Sequence, residues 1–183
     1  GVDTLATRVC GAKFEHILAN VAFREDFPFI RQYKILTVGG LDILFLGLVT
    51  TAYEGHPVGI VENFGKTKFL STEATVEKFY PWLPTTDVFV ALSHLGFEED
   101  SLLAVNYPHF DLIIGGHSHT VIPEGLDING VVVTQTGNKL RHAGITSITY
   151  RGKKIRSIDN RLVMLDTIPP SPKLREMVDR IKQ

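Results

Sequence analysis

Hydrophobic positions along the chain change spacing from one segment to the next, and each spacing is typical of one kind of element. Leu5 and Val9 lie four residues apart, which predicts a helix over residues 2–12. Two apolar runs separated by Gly39 and Gly40 predict a hairpin, because paired glycines readily take the positive φ angles of a tight turn. The second arm of this hairpin is apolar on both faces, which predicts a central strand. The other elements expected in the first half are a strand over 16–23, a loop over 51–68 and a helix from a Ser71 cap to about residue 82.

The middle of the chain alternates strand and helix patterns, as a crossover unit does. A strand over 87–93, a helix over 98–106 and a strand over 110–115 predict two parallel strands with a right-handed connection. The rest of the chain is expected to be antiparallel and to form a second sheet layer, followed by a helix with one apolar face. Its elements are a strand over 130–135, a hairpin of 144–150 with 155–165, and a helix after the Pro-rich stop at 169–172. Together these patterns predict a layered α/β domain.

Histidines follow two consecutive predicted strands. His94 comes after the apolar run 87–92, and His117 and His119 come after the run 110–115. Parallel strands bring their carboxyl ends together, and two rings spaced two residues apart in an extended segment face the same way. A lone histidine after a strand is more often a hydrogen-bonded surface or core residue. Three at two strand ends favour a metal site, since neutral imidazole is a common ligand for Zn, Mn, Fe and Ni.

The motifs around these histidines resemble those of a known enzyme family. They are Ser93-His94-Leu95-Gly96, Gly116-His117-Ser118-His119 and Gln135-Thr136-Gly137-Asn138. In order and spacing they resemble the calcineurin-like metallophosphoesterases, specifically the 5'-nucleotidase and UDP-sugar hydrolase branch. The resemblance implies an α/β/β/α sandwich and two divalent metal ions, Zn or Mn. It also implies that His94 and His117 bind one metal and His119 the other.

The chain departs from the family pattern in one respect that bears on activity. The family's Asp-x-His, Gly-Asp and Asn-His motifs, which supply the bridging aspartate and the catalytic histidine, do not occur in this sequence. We therefore expect residues 1–168 to be the C-terminal part of a catalytic domain, with the N-terminal portion absent from this chain and no catalytic residue within it. Residues 169–183 are expected to be a stop and linker helix toward an absent C-terminal substrate domain.

Composition narrows the remaining classes of function. Nineteen basic and twenty acidic residues give no electrostatic signature of a nucleic-acid or acidic-membrane partner. No apolar run approaches the roughly 20 residues of a membrane-spanning helix. Cys10 is the single cysteine, which rules out an internal disulfide, and its place in a predicted helix indicates a small buried residue.

The function expected from the resemblance is two-metal hydrolysis of nucleotide phosphoesters by a parent enzyme that is periplasmic or extracellular. UDP-sugars and 2',3'-cyclic nucleotides are the alternative substrates, and the isolated chain is expected to be inactive. The alternative class is a non-catalytic fragment, or a subunit completed by another chain. Asp100 and Asp111 are possible carboxylate partners of the ligand histidines, although a solvated helix turn for Asp100 and a strand cap for Asp111 are expected instead. Asn138 is placed in a turn near the metals without a phosphate role.

Overall fold

The computed structural model describes residues 1–23, 27–28, 30–53 and 55–182. Its helices are α1 (Val2–Gly11), α2 (Thr72–Phe79), α3 (Phe97–Asn106) and α4 (Pro172–Ile181). Its strands are β1 (Val21–Ala22), β2 (Tyr33–Val38), β3 (Leu41–Val49), β4 (Lys68–Phe69), β5 (Val88–His94), β6 (Leu112–Ile114), β7 (Leu126–Ile128), β8 (Val131–Thr134), β9 (His142–Arg151) and β10 (Lys154–Met164). Short 3-10 segments lie at Val61–Phe64, Tyr80–Thr85 and Leu165–Thr167.

A mixed six-stranded sheet forms the centre of the fold, in the order β2-β3-β5-β6-β8-β7. Strands β3, β5, β6 and β8 are parallel, and the two edge strands run antiparallel to their neighbours. The predicted hairpin of β2 and β3 is confirmed, with Gly39 and Gly40 at φ angles of 61° and 84°. The predicted parallel pairing of β5 with β6 is also confirmed. The carboxyl ends of four parallel strands therefore meet along one edge.

The sheet is covered by different elements on its two faces. Val76 and Phe79 of α2 and Leu103 of α3 belong to the larger core cluster on one face. The antiparallel pair β9-β10 packs on the other face, where its isoleucines contact a smaller cluster that includes Val88 and Val90. Helices, central sheet and hairpin thus form successive layers, and the predicted layered α/β class is confirmed. None of the described helices is long and apolar enough to cross a membrane.

Three local predictions are wrong. The strand predicted over 16–23 is reduced to Val21–Ala22 and an isolated bridge from Ile17 to Arg31. Strand β8 pairs in parallel with β6 in the central sheet instead of joining the second layer. Three of its four residues are buried, which is what a strand covered on both faces requires. Cys10 is exposed, because α1 buries no side chain in the described structure.

Candidate metal centre

His94 is held by the sheet itself. It is the last residue of β5 and pairs in register with Val49 of β3. Its carbonyl also accepts a hydrogen bond from the Thr50 amide at 3.1 Å. Its side chain is exposed at the carboxyl edge of the sheet, where open α/β folds bind ligands. The strand therefore fixes the backbone that carries this imidazole.

His117 and His119 lie beyond the last ladder pair of β6, in a turn with an unusual backbone. Their φ angles are 75° and 60°, in the left-handed region that residues other than glycine seldom occupy. The prediction that the two rings lie on one side of an extended segment is therefore wrong in its geometry. Both side chains are nevertheless exposed at the same sheet edge as His94. Backbone strain of this kind clusters at functional sites.

The structure brings His94 and His117 into contact, and His119 lies near enough to act on His94 electrostatically. The ring centroids of His94 and His117 are 5.2 Å apart, with the ring planes at 70°. Partial burial lowers the pKa of His94, and the nearby His117 and His119 lower it further. A lowered pKa keeps the His94 imidazole neutral at pH 7, and the neutral form is the one that binds metals.

The turn that carries His117 and His119 is bound to a buried amide. The side chain of Gln135, 2% exposed, follows directly on β8. Its Oε1 accepts hydrogen bonds from Ser118 Oγ at 3.0 Å and from the Thr120 amide at 2.5 Å. Its Nε2 donates to the Gly116 carbonyl at 3.1 Å. One side chain thus contacts the turn at three places.

Ser118 joins the same turn to the helix that follows His94. Its Oγ accepts a hydrogen bond from the Phe97 amide at 3.0 Å, at the start of α3. Since Gln135 Oε1 accepts the hydroxyl proton, the Thr120 hydroxyl at 2.9 Å is a donor to Ser118 Oγ. The side chain between the two histidines therefore has its hydrogen bonds satisfied. These roles of Ser118 and Gln135 are not predicted from the sequence. The position of Gln135, a polar residue at the end of a buried strand, could have indicated its role.

Asp100 lies beneath the site instead of on a solvated helix turn, so that expectation is wrong. It is fully buried, and Ser93 Oγ donates to its Oδ1 at 2.5 Å. Its Oδ2 has no hydrogen-bond partner among the described residues. Burial raises the pKa of Asp100 to about 6, although the Ser93 hydroxyl opposes this shift. A Cβ added at Gly115 would come within 2.3 Å of this Oδ2, so the helix carboxyl packs directly against the strand that leads to His117.

Asp111 and Asn138 take the places expected for them. Asp111 Oδ2 accepts a hydrogen bond from the Phe89 amide at 2.8 Å, and burial raises the pKa of its carboxyl. It therefore caps a strand at the edge opposite the histidines. Asn138 is in the turn after β8, with its Nδ2 3.5 Å from His119 Nδ1, the outer limit of a hydrogen bond.

The three imidazoles are of the donor type that binds divalent transition metals such as Zn. Their exposed location at the sheet edge leaves room for other donors. Within the described ranges, however, no group of three or more His, Cys, Asp or Glu side chains is arranged to hold a metal ion, and these three histidines are no exception. The donors thus suit a metal by their chemistry, whereas their arrangement is not that of a complete site.

Known proteins are similar to this chain both in sequence and in fold. No family profile matches the chain. It is 31% identical over 122 residues to the uncharacterized metallophosphoesterase YunD of Bacillus subtilis, covering 67% of this chain and 25% of YunD. It is 25% identical over 199 residues to human 5'-nucleotidase, covering 92% of this chain and 33% of that protein.

A solved structure agrees with these relatives. The 5'-nucleotidase precursor of Thermus thermophilus superposes with a TM-score of 0.72 at 26% identity, over 87% of this chain and 35% of that one. The chain thus spans a quarter to about a third of the length of these proteins. Sequence and fold agree on the family that the histidine motifs resemble, and the chain belongs to the calcineurin-like metallophosphoesterases, in the branch that contains the 5'-nucleotidases.

Proposed function

We propose that this chain contributes His94, His117 and His119 to a divalent-metal site that hydrolyses phosphoesters. The observation that carries the proposal is the convergence of these exposed imidazoles at one sheet edge, with the rings of His94 and His117 5.2 Å apart. When bound there, Zn²⁺ or Mn²⁺ would polarise a phosphate oxygen of the substrate and lower the pKa of a bound water. In this chain His94, His117 and His119 would hold the metals, and partial burial of His94 keeps its imidazole neutral.

Further ligands are needed to complete a two-metal site. Three imidazoles alone leave two divalent ions under-coordinated, and no group of three or more candidate ligands among the described residues is arranged to hold a metal ion. We infer that the bridging carboxylate and the catalytic acid or base come from a segment outside residues 1–183, in the same or another chain. Residues 1–168 then form one part of the catalytic domain, and 169–183 link it to a substrate-binding domain. The proposal that the isolated chain is inactive follows from this inference.

The proposed substrates are nucleotides. Several relatives are named 5'-nucleotidases, including the human protein and the snake venom 5'-nucleotidase of Naja atra. UDP-sugars and 2',3'-cyclic nucleotides are the alternatives, since the same metal chemistry cleaves each of them. A location outside the cytoplasm is part of the proposal, and its support is the venom relative's name. A non-catalytic subunit that is completed by another chain is the second candidate, favoured by the incomplete ligand set.

The test is phosphate release from AMP by the protein translated from the complete gene, with Mn²⁺ or Zn²⁺ and after EDTA treatment. We expect metal-dependent hydrolysis that His117→Ala removes and that His109→Ala leaves intact, because His109 is exposed and bonds to the Tyr80 hydroxyl away from the three histidines. Parallel reactions with UDP-glucose and 2',3'-cyclic AMP, monitored through the formation of UMP and of 3'-AMP because neither cleavage releases free phosphate, rank the substrates. Residues 1–183 alone should release phosphate at the background rate. Metal-independent hydrolysis, or full activity in His117→Ala, contradicts the proposal.

A further inference from the structure

We propose that Gln135 is a positioning residue that fixes the turn carrying His117 and His119, an inference that rests on the proposed function. Gln135 itself contacts neither the metals nor the substrate. It acts through the backbone of the histidine turn. The starting observation is a neutral amide, 2% exposed, whose hydrogen-bonding atoms all contact that turn.

The contacts of Gln135 bracket both histidines. Its Nε2 donates to the carbonyl of Gly116, the residue before His117. Its Oε1 accepts from the side chain of Ser118, between the two histidines, and from the amide of Thr120, after His119. Both His117 and His119 therefore lie between two residues that are hydrogen-bonded to Gln135.

The turn needs such a support because its backbone is strained. His117 and His119 both occupy the left-handed region, and neither is a glycine. The pairing of β6 with β8 ends at Ile114 and Thr134, before the turn begins. Strained residues persist only where surrounding contacts over-determine them. The contacts of Gln135 supply that constraint on both sides of each histidine.

The chemistry requires an amide at this position. The Gly116 carbonyl needs a donor, while the Ser118 hydroxyl and the Thr120 amide need an acceptor. Glutamine offers both in one planar group. A carboxylate accepts from Ser118 and Thr120 but faces the Gly116 carbonyl without a proton. An apolar side chain of the same length offers neither.

The experiment compares Gln135→Leu, Gln135→Glu and a control, Asn160→Leu, in the 183-residue chain. Asn160 is also a buried amide, 8% exposed, and it bonds to Thr146, Ile122 and Pro123. Zn²⁺ is titrated while the histidine ring resonances are followed by NMR. Loss of a residue that orients metal ligands typically costs about 10- to 100-fold in affinity. We expect that loss in Gln135→Leu, a loss at the lower end of that range in Gln135→Glu, and less than about twofold in Asn160→Leu.

Two metal-free measurements separate failure of this inference from failure of the proposed function. In the native chain we expect a slowly exchanging Thr120 amide and an NOE between the rings of His94 and His117. Gln135→Leu should lose both, and Asn160→Leu should keep both. If the native chain binds no Zn²⁺ yet these effects appear, the metal site is wrong and the positioning role of Gln135 stands.

Retention of the ring NOE and Thr120 protection in Gln135→Leu, with Zn²⁺ affinity equal to that of Asn160→Leu, overturns the inference. If Gln135→Leu does not fold, Gln135→Glu carries the test. That variant should keep Thr120 protected while its Zn²⁺ affinity falls, because only the donor to Gly116 is lost. Native affinity in Gln135→Glu together with a native ring NOE contradicts the need for an amide.

Discussion

His94 and the His117–His119 turn reach the same sheet edge by different physical means. His94 belongs to a strand with a paired neighbour, and the buried pair of Ser93 and Asp100 supports it from below. The other two histidines lie past the end of the ladder, with left-handed backbones that side-chain hydrogen bonds hold in place. One half of the site is thus fixed by the strand ladder, and the other half by hydrogen bonds to the turn, among which Gln135 makes three. The sheet half should resist substitution unless its packing is disturbed, whereas the turn half should respond to loss of individual hydrogen bonds.

We expect the largest loss of stability from Gly115→Ala, which disturbs the contact between the sheet half and the turn half of the site. The new methyl group would lie 2.3 Å from Asp100 Oδ2 and 3.2 Å from the Thr134 carbonyl oxygen. The Thr134 oxygen is backbone and the Asp100 carboxyl is fully buried, so the strand or the buried carboxyl must shift. We expect a loss of more than about 3 kcal/mol in the free energy of unfolding, at the upper end of overpacking costs. Urea denaturation followed by circular dichroism measures it.

Gly11→Ala is the control for this substitution. A methyl group at Gly11 meets no atom within 4 Å, and the residue lies in α1. The exchange should leave stability unchanged or raise it by up to about 1 kcal/mol. Equal stability losses in the two variants would show that Asp100 does not pack against Gly115 as described.

The second-largest effect on stability comes from the charge of the Asp100 carboxyl, which lies beneath the sheet half, and it depends on pH. Burial raises the pKa of Asp100 to about 6 from its ordinary 3.8. Between these values the native state binds more protons than the unfolded state, so the contribution of Asp100 to stability falls as the pH rises. The contribution is full below about pH 4 and is lost above about pH 6. With one pKa unit worth about 1.36 kcal/mol, native protein should lose about 2 kcal/mol relative to Asp100→Asn between about pH 4.5 and 7.

Urea denaturation of both proteins at several pH values tests this expectation. At each pH, the free energy of unfolding of Asp100→Asn is subtracted from that of the native protein. The subtraction removes the contribution of His94, whose lowered pKa makes stability rise with pH in both proteins. A difference that stays constant across this pH range would mean that Asp100 keeps an ordinary carboxyl pKa. A change in the opposite direction would place a cation beside it.

The smallest effect is expected from Ser118→Ala in the turn half. This change removes the acceptor of the Phe97 amide and one of the donors to Gln135. Because Ser118 is exposed and water can replace these bonds, the expected loss is about 1 kcal/mol. Ser71→Ala, which removes the N-cap bond to the Ala74 amide of α2, is a matched control with a similar cost. Only Ser118→Ala should speed exchange of the Phe97 amide, and unchanged exchange there would contradict the described link.

The sequence predicts the sheet half of the site better than the turn half. Parallel strands ending in histidine must bring His94 toward His117, so their proximity follows from the strand patterns alone. The backbone at His117 depends on Gln135, which is remote in sequence, and local patterns do not report such contacts. The prediction for Asp100 fails because three consecutive acidic residues open α3, and charge alone does not show which of them faces inward.

The dependence on contacts between residues remote in sequence also explains the wrong prediction for β8. Strand β8 is a short apolar run, and such a run suits a central parallel strand as well as a strand of a second layer. The hairpin of β2 and β3 is predicted correctly because its turn residues, Gly39 and Gly40, are local signals. Hydrophobicity by itself therefore leaves long-range strand pairing open.

The most direct test of the central claim is Zn²⁺ binding to the 183-residue chain by isothermal titration calorimetry. The native chain should bind one ion weakly, because its three imidazoles are part of a larger ligand set. His94→Ala, His117→Ala and His119→Ala should each weaken binding by at least about tenfold, since each removes a metal bond, while His109→Ala should not. Equal affinity in all four variants, or no binding by the native chain, would contradict the claim that these three histidines form one metal site.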